Sequence, residues 1–365
     1  MKETASTSQV QSPKSKVQSH KPIFLGLGLW ALGLGPFAVM VLIFAAGVGF
    51  CFAPPKFEKV SDHYYSYQCK SDGLNVGAVV TDDGILIINP PADPDLSEAL
   101  DALKKVSSHP VRWVVSTDYR IALAGGAALL AEQGAAVIGC DGMRPLLAGV
   151  REQKPADTPA AETKSSEPHP GSLRLSLAFG HQMRLFPGGL EVRIFSLQAK
   201  ARTAADVVVF IPAEKVVQIG DLYNLGSYPE IDDDQGGGSA AGWVDGIKQV
   251  VDSVPLLKPA IPPAKMAARK SPPPKGPPPV PGAPVVEKTP EEEVTVVTGH
   301  GPLSNLMELK GLLETARKLR AEASKLVADG LERDKLLSSP SLSPFRVYNG
   351  FDQFASQLFD ALSKK

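Results

Sequence analysis

Short polar stretches able to do chemistry stand at the ends of apolar runs in this chain. Ser116-Thr117-Asp118-Tyr119-Arg120-Ile121-Ala122-Leu123-Ala124-Gly125-Gly126 follows Val111-Arg112-Trp113-Val114-Val115, Gly220-Asp221-Leu222 follows Val216 to Ile219, and Thr298-Gly299-His300-Gly301-Pro302 follows Val294 to Val297. A carboxylate such as Asp118 or Asp221 can ligate a cation or pair with a base, and His300 can serve as a general base or as a hydrogen-bonded structural group. Arg120, and Arg202 in Ala201-Arg202-Thr203-Ala204-Ala205-Asp206, can grip an anion bidentately but have no lone pair to give a metal.

The elements that would position these groups alternate between helix and strand. Val76 to Val80 and Ile85 to Ile88 flank Thr81-Asp82-Asp83-Gly84, a strong hairpin signal. Leu96 to Val106 has helical spacing, Val111 to Val115 reads as a buried strand, Ala127 to Gly134 as a helix, and Ala135 to Gly139 as another strand. Leu173 to Phe179, Met183 to Phe186, Leu190 to Leu197, Val207 to Ile211 and Val216 to Ile219 follow as strand candidates, then a helix from Gly242 to Val251 and a strand at Val294 to Val297. The chain ends in an amphipathic helix from Ser304 to Asp329, with Leu306, Leu309, Leu312, Leu313, Ala316 and Leu319 on one face, and a short helix within Gly350 to Leu362. This order predicts a layered α/β domain with its chemistry on strand-end loops.

Taken together, these landmarks resemble metallo-β-lactamase-fold hydrolases. Thr117, Gly125 and Gly126 keep the spacing of that family's Thr-His-x-His-x-Asp-His turn and its two following glycines. Asn75-Val76-Gly77 with the Asp83-Gly84 hairpin is similar to its opening, Gly220-Asp221-Leu222 to its strand-end Gly-Asp, and Gly299-His300-Gly301 to its Gly-His-Gly loop. Tyr228-Pro229-Glu230-Ile231-Asp232, Gly236-Gly237, Trp243 and the tail through Phe351, Phe354 and Leu358 resemble one branch of the family. The resemblance implies a four-layer αββα sandwich over residues 57–365, with two zinc ions that lower the pKa of a bridging water and polarise the substrate.

Carried over position by position, the implied ligand set is eroded. Asp118, Arg120, Ala122 and Leu123 stand at the first motif's four ligand positions, Arg202 stands where the next histidine belongs, and Asn89 replaces an aspartate that ends the hairpin. Only Asp221 and His300 survive as ligand types, too few for a zinc site, which needs at least three protein ligands. The expectation is therefore no metal cofactor. Arg120 and Arg202 either neutralise Asp118 and Asp221 by ion pairing inside the old pocket, or point to solvent while Ala122 and Leu123 fill it.

Residues 1–21 form a polar tail, and residues 22–53 read as a transmembrane anchor because Ile23 to Phe52 has no charged residue. Lys2, Lys14, Lys16 and Lys21 precede that span with Glu3 alone against them, which places the N-terminus in the cytoplasm and the domain outside. A polar loop at 151–171 and a Pro-rich insertion at 258–290 interrupt the domain, and the second could dock a protein partner as a polyproline II segment. A net charge of −1 gives no sign of nucleic-acid binding. Cys69 and Cys140 are expected to be buried and reduced, and Asp232-Asp233-Asp234 reads as a solvated acidic loop, since it lacks an EF-hand's alternation and closing Glu. The sequence thus supports a membrane-anchored binding or scaffolding module that has lost zinc-dependent hydrolysis. Its alternatives are a divergent hydrolase of an ester, thioester or lactam built on Asp118, Asp221 and His300, and a small-anion binder using Arg120 and Arg202.

Overall fold

A computed structural model describes residues 56–152, 173–256 and 293–363, all within the compact unit Pro54–Lys365. The expected anchor at 22–53, the Pro-rich insertion at 258–290 and the loop beyond Glu152 lie outside the described residues. Among the described residues no helix is long and apolar enough to cross a membrane.

Two sheets form the centre. The first has seven strands in sequential order: β1 (Glu58–Lys59), β2 (Tyr64–Gln68), β3 (Asn75–Thr81), β4 (Gly84–Ile88), β5 (Val111–Val115), β6 (Ala136–Cys140) and β7 (Leu177–Phe179). β1 to β4 pair antiparallel and β4 to β7 parallel. Helices therefore fall between the parallel strands, as α1 (Asp95–Leu103), α2 (Tyr119–Leu123), α3 (Gly126–Glu132) and α4 (Met143–Glu152). The second sheet runs β13-β12-β11-β10-β9-β8, from β8 (Gln182–Leu185), β9 (Val192–Ser196), β10 (Val207–Ile211), β11 (Val216–Gly220), β12 (Thr295–Thr298) and β13 (Ser304–Asn305).

The apolar run of β10 explains the layering. Successive strand residues face opposite ways, so Val207, Val209 and Ile211 enter the core shared with the first sheet. Val208 and Phe210 enter a second core with α5 (Ala240–Leu256), α6 (Leu306–Ala328) and α7 (Phe351–Ser363). The order of layers is helix, sheet, sheet, helix. Between the sheets, Tyr64 donates to Gln218 Oε1 at 2.8 Å while Gln218 Nε2 donates to the Asn75 carbonyl at 3.0 Å. That buried pair fixes β11 against β2 and β3.

Local differences from the sequence reading have physical causes. The two short helices α2 and α4 were not expected, because α2 is a single turn, too short to show periodicity. Asp118 makes it possible by accepting from the Arg120 and Ile121 amides as an N-cap. Arg151 and Glu152 belong to α4 and not to the polar loop. Of the strand expected at Leu173 to Phe179, only Leu177–Phe179 pairs, with β6.

Candidate functional site

Three strand ends converge on one cleft of about 400 Å³. β5 delivers Asp118, β11 delivers Asp221 and β12 delivers His300, while Arg202 comes from the loop between β9 and β10. The approach of β5 to β11 depends on glycine. A Cβ on Gly220 would lie 2.0 Å from Thr117 Oγ1, and one on Gly299 would lie 2.1 Å from Asp221 Oδ1. Asn89, buried and at a φ of 59°, accepts from the Thr117 amide at 2.8 Å and holds the start of the turn. The Thr117 carbonyl in turn accepts from the Val207 amide at 2.7 Å, joining the turn to the second sheet.

Arg202 is the centre of the arrangement. Its Nη1 donates to Asp118 Oδ2 at 2.8 Å and its Nη2 lies 3.2 Å from Asp221 Oδ2, with the arginine 7% exposed. Asp221 Oδ1 meets His300 Nδ1 at 2.8 Å, and the His300 amide donates to Asn224 Oδ1 at 2.8 Å. The result is a continuous chain of charge, Asp118 to Arg202 to Asp221 to His300.

Burial is the largest influence on Asp118 and raises its carboxyl, against the Arg202 charge and the Ile121 amide. Burial raises Asp221 too, but the His300 hydrogen bond and the Arg202, His300 and Arg120 charges outweigh it and hold that carboxyl below its ordinary value. The hydrogen bond to Asp221 raises the His300 imidazole, which keeps its proton to higher pH than a free histidine.

Arg120 corrects the expectation that both arginines would ion-pair with Asp118 and Asp221, although its charge still lowers both carboxyls. Its Nε is 3.7 Å from Asp232 Oδ2, and its side chain is 36% exposed at the cleft wall. α2 turns it away from the carboxylate that caps the helix. The alternative, in which both arginines face solvent, fails on the burial of Arg202. Asp232 is likewise no solvated residue: it accepts from Tyr119 Oη at 2.5 Å and from the Gly236 amide at 2.8 Å. Only Asp233 and Asp234 are exposed. Asp232 and Tyr119 are thus site residues that the sequence reading left out, and the one available signal was Asp232's place beside the glycines.

The zinc pair implied by the resemblance can be tested against these donors. Asp118 Oδ1 accepts two backbone amides, its Oδ2 and Asp221 Oδ2 face one guanidinium, and Asp221 Oδ1 is engaged by His300. A guanidinium between the two carboxylates repels a cation and occupies their inner oxygens. These residues do not fit a zinc centre.

No protein-family model matches the chain, and no curated protein sequence does. Solved structures do. A metallo-beta-lactamase from Pontibacter korlensis aligns with a TM-score of 0.50 at 17% identity, covering 72% of this chain and 99% of that one. The stereoselective inverting sec-alkylsulfatase Pisa1 from Pseudomonas sp. aligns with a TM-score of 0.57 at 14% identity, covering 85% of this chain. The alignment takes in 50% of that enzyme's length. The sheet order, the strand-end cleft and these structural matches establish that the chain has the metallo-β-lactamase fold.

Proposed function

We propose that this protein uses a hydrolase fold for binding or scaffolding, without metal-dependent hydrolysis at the interior centre, and is held at a membrane by its N-terminal apolar segment. The observation that carries this reading is the Arg202 bridge between Asp118 and Asp221. One guanidinium bridges both carboxylates where the fold's enzymes would hold cations, so the centre has the character of a structural clamp. Membrane attachment rests on the uncharged run from Ile23 to Phe52.

The cleft above the clamp remains open to a ligand. Asp72, Asp93, Asp95 and Asp221 line it against Arg120, Arg202 and His300, with Asp118 and Asp232 directly behind. That balance favours cationic or zwitterionic ligands over the small anion that Arg120 and Arg202 suggested in sequence. Arg202, moreover, is already engaged by two carboxylates.

A second reading is favoured by the His300–Asp221 pair. An imidazole oriented by a carboxylate at a cleft wall can act as a metal-free general acid or base for ester, thioester, lactam or sulfate-ester hydrolysis. One assay separates the readings: the purified full chain is offered such substrates with and without added zinc. No turnover above background is expected. Zinc-stimulated turnover lost in Asp221→Ala would overturn the first reading, and zinc-independent turnover lost in His300→Ala would establish the second.

A further inference from the structure

A different cluster lies at the rim of the cleft, outside the Arg202 clamp. The turn from Cys69 to Leu74 closes on itself, with the Cys69 amide donating to the Leu74 carbonyl at 2.9 Å and the Gly73 amide to the Cys69 carbonyl at 3.1 Å. Asp72 Oδ1 accepts from the Leu74 amide at 2.9 Å. The start of α1 brings Asp95 alongside, where its carboxylate accepts from Ser71 Oγ. As a result Cys69 Sγ and one oxygen each of Asp72 and Asp95 lie within 4.8 Å of one another.

Three further observations point to a cation. Cys69 is 3% exposed, and its sulfur makes no hydrogen bond among the described residues. The cleft rim carries an excess of carboxylates, since Lys70 is taken up by Glu98 at 2.9 Å and leaves Asp72 and Asp95 uncompensated by it. Finally, His300 Nε2 lies 3.9 Å from Asp72 Oδ2 while its Nδ1 is held by Asp221. A carboxylate on one imidazole nitrogen fixes the ring, so the other nitrogen stays beside Asp72 at the cluster's edge.

We propose that Cys69, Asp72 and Asp95 bind a thiophilic divalent cation at the cleft rim, with solvent at the fourth position and His300 Nε2 beside Asp72. A sulfur ligand selects zinc-like ions over magnesium or calcium. Metal–sulfur and metal–oxygen bonds of about 2.3 and 2.0–2.2 Å put neighbouring ligands of a tetrahedron ~3.5 Å apart. The partly exposed carboxylates can close that distance by rotamer changes. On binding, the sulfur–metal bond forms as the thiol proton passes to solvent. This site shares no carboxylate with the Arg202 clamp and does not depend on the clamp being free of metal.

Cadmium titration of the purified full chain tests it, read by the near-ultraviolet thiolate-to-cadmium absorption. The band should saturate at one equivalent, vanish in Cys69→Ser and need at least the ~10- to 100-fold more cadmium in Asp95→Asn that loss of an outer-shell partner alone would cost. Asp95→Asn keeps the helix start, so it guards against misfolding of the cysteine variant, with circular dichroism as the check on both. A band that survives Cys69→Ser, or no binding at all, overturns the rim site alone. Cadmium bound without a thiolate band and released by Asp221→Ala overturns both this site and the metal-free reading of the interior centre.

Discussion

Arg202 and Asp118 form a buried ion pair, Nη1 to Oδ2 at 2.8 Å, whose acid also caps the one-turn helix that follows β5. Helix start and clamp therefore share one carboxylate. Breaking a buried pair from one side leaves an uncompensated charge, so Arg202→Ala should lower stability by about 3–5 kcal/mol. Adding Asp118→Ala should cost less than a second, independent loss. Urea unfolding of the two single variants and the double variant is the measurement, and strict additivity would show that the pair is not coupled.

The His300–Asp221 contact sets a pH window. The raised histidine stabilises the fold fully below its ordinary value of 6.5, and that contribution is lost as pH climbs through the folded-state pKa. The lowered carboxyl stabilises above 3.8 and loses its contribution as pH falls through its folded-state value. The contact is thus whole between those two ordinary values. His300→Gln should flatten part of the alkaline decline in stability while leaving much of the acid limb, and an unchanged alkaline slope would refute the assignment.

Asp206 acts in the opposite sense. Burial is the largest cause of its raised pKa of about 7, against the Thr203 amide and hydroxyl that donate to it. An acid whose folded-state pKa is raised binds its proton more tightly when folded, so it lowers stability as pH rises from 3.8 to about 7. Asp206→Asn keeps an acceptor for Thr203 and should reduce that loss. Chemical denaturation at pH 5 and pH 8 tests this, with the variant's advantage expected at pH 8.

Gly220 has a φ of 56° and no room for a methyl group beside Thr117. Gly220→Ala should destabilise by at least about 2 kcal/mol through left-handed backbone and overpacking. Removing the nearest atom with Thr117→Ala in the same chain should recover part of the loss. No recovery in urea unfolding would assign the whole effect to the backbone.

Much of the scaffold is legible in the amino-acid sequence. β10 is a continuous apolar run because both of its faces are buried, and α6 shows its core face as a repeat of leucines. Asp118, Asp221 and His300 stood out because each ends an apolar run, where loops can carry chemistry. The α2 turn is hidden, since a single turn gives too little periodicity against polar flanks.

The pattern of side chains determined the order of helices and strands, and the presence of arginine where a metal ligand would be needed. Only the folded chain decided which arginine faces which acid. Arg202 reaches across to Asp118 and Asp221, whereas the N-cap geometry of Asp118 turns Arg120 toward Asp232. Partners 84 residues apart meet because two sheets pack face to face. No local spacing encodes that distance, so ion pairing, like the meeting of Cys69 with Asp95 across α1's start, is a property of tertiary packing.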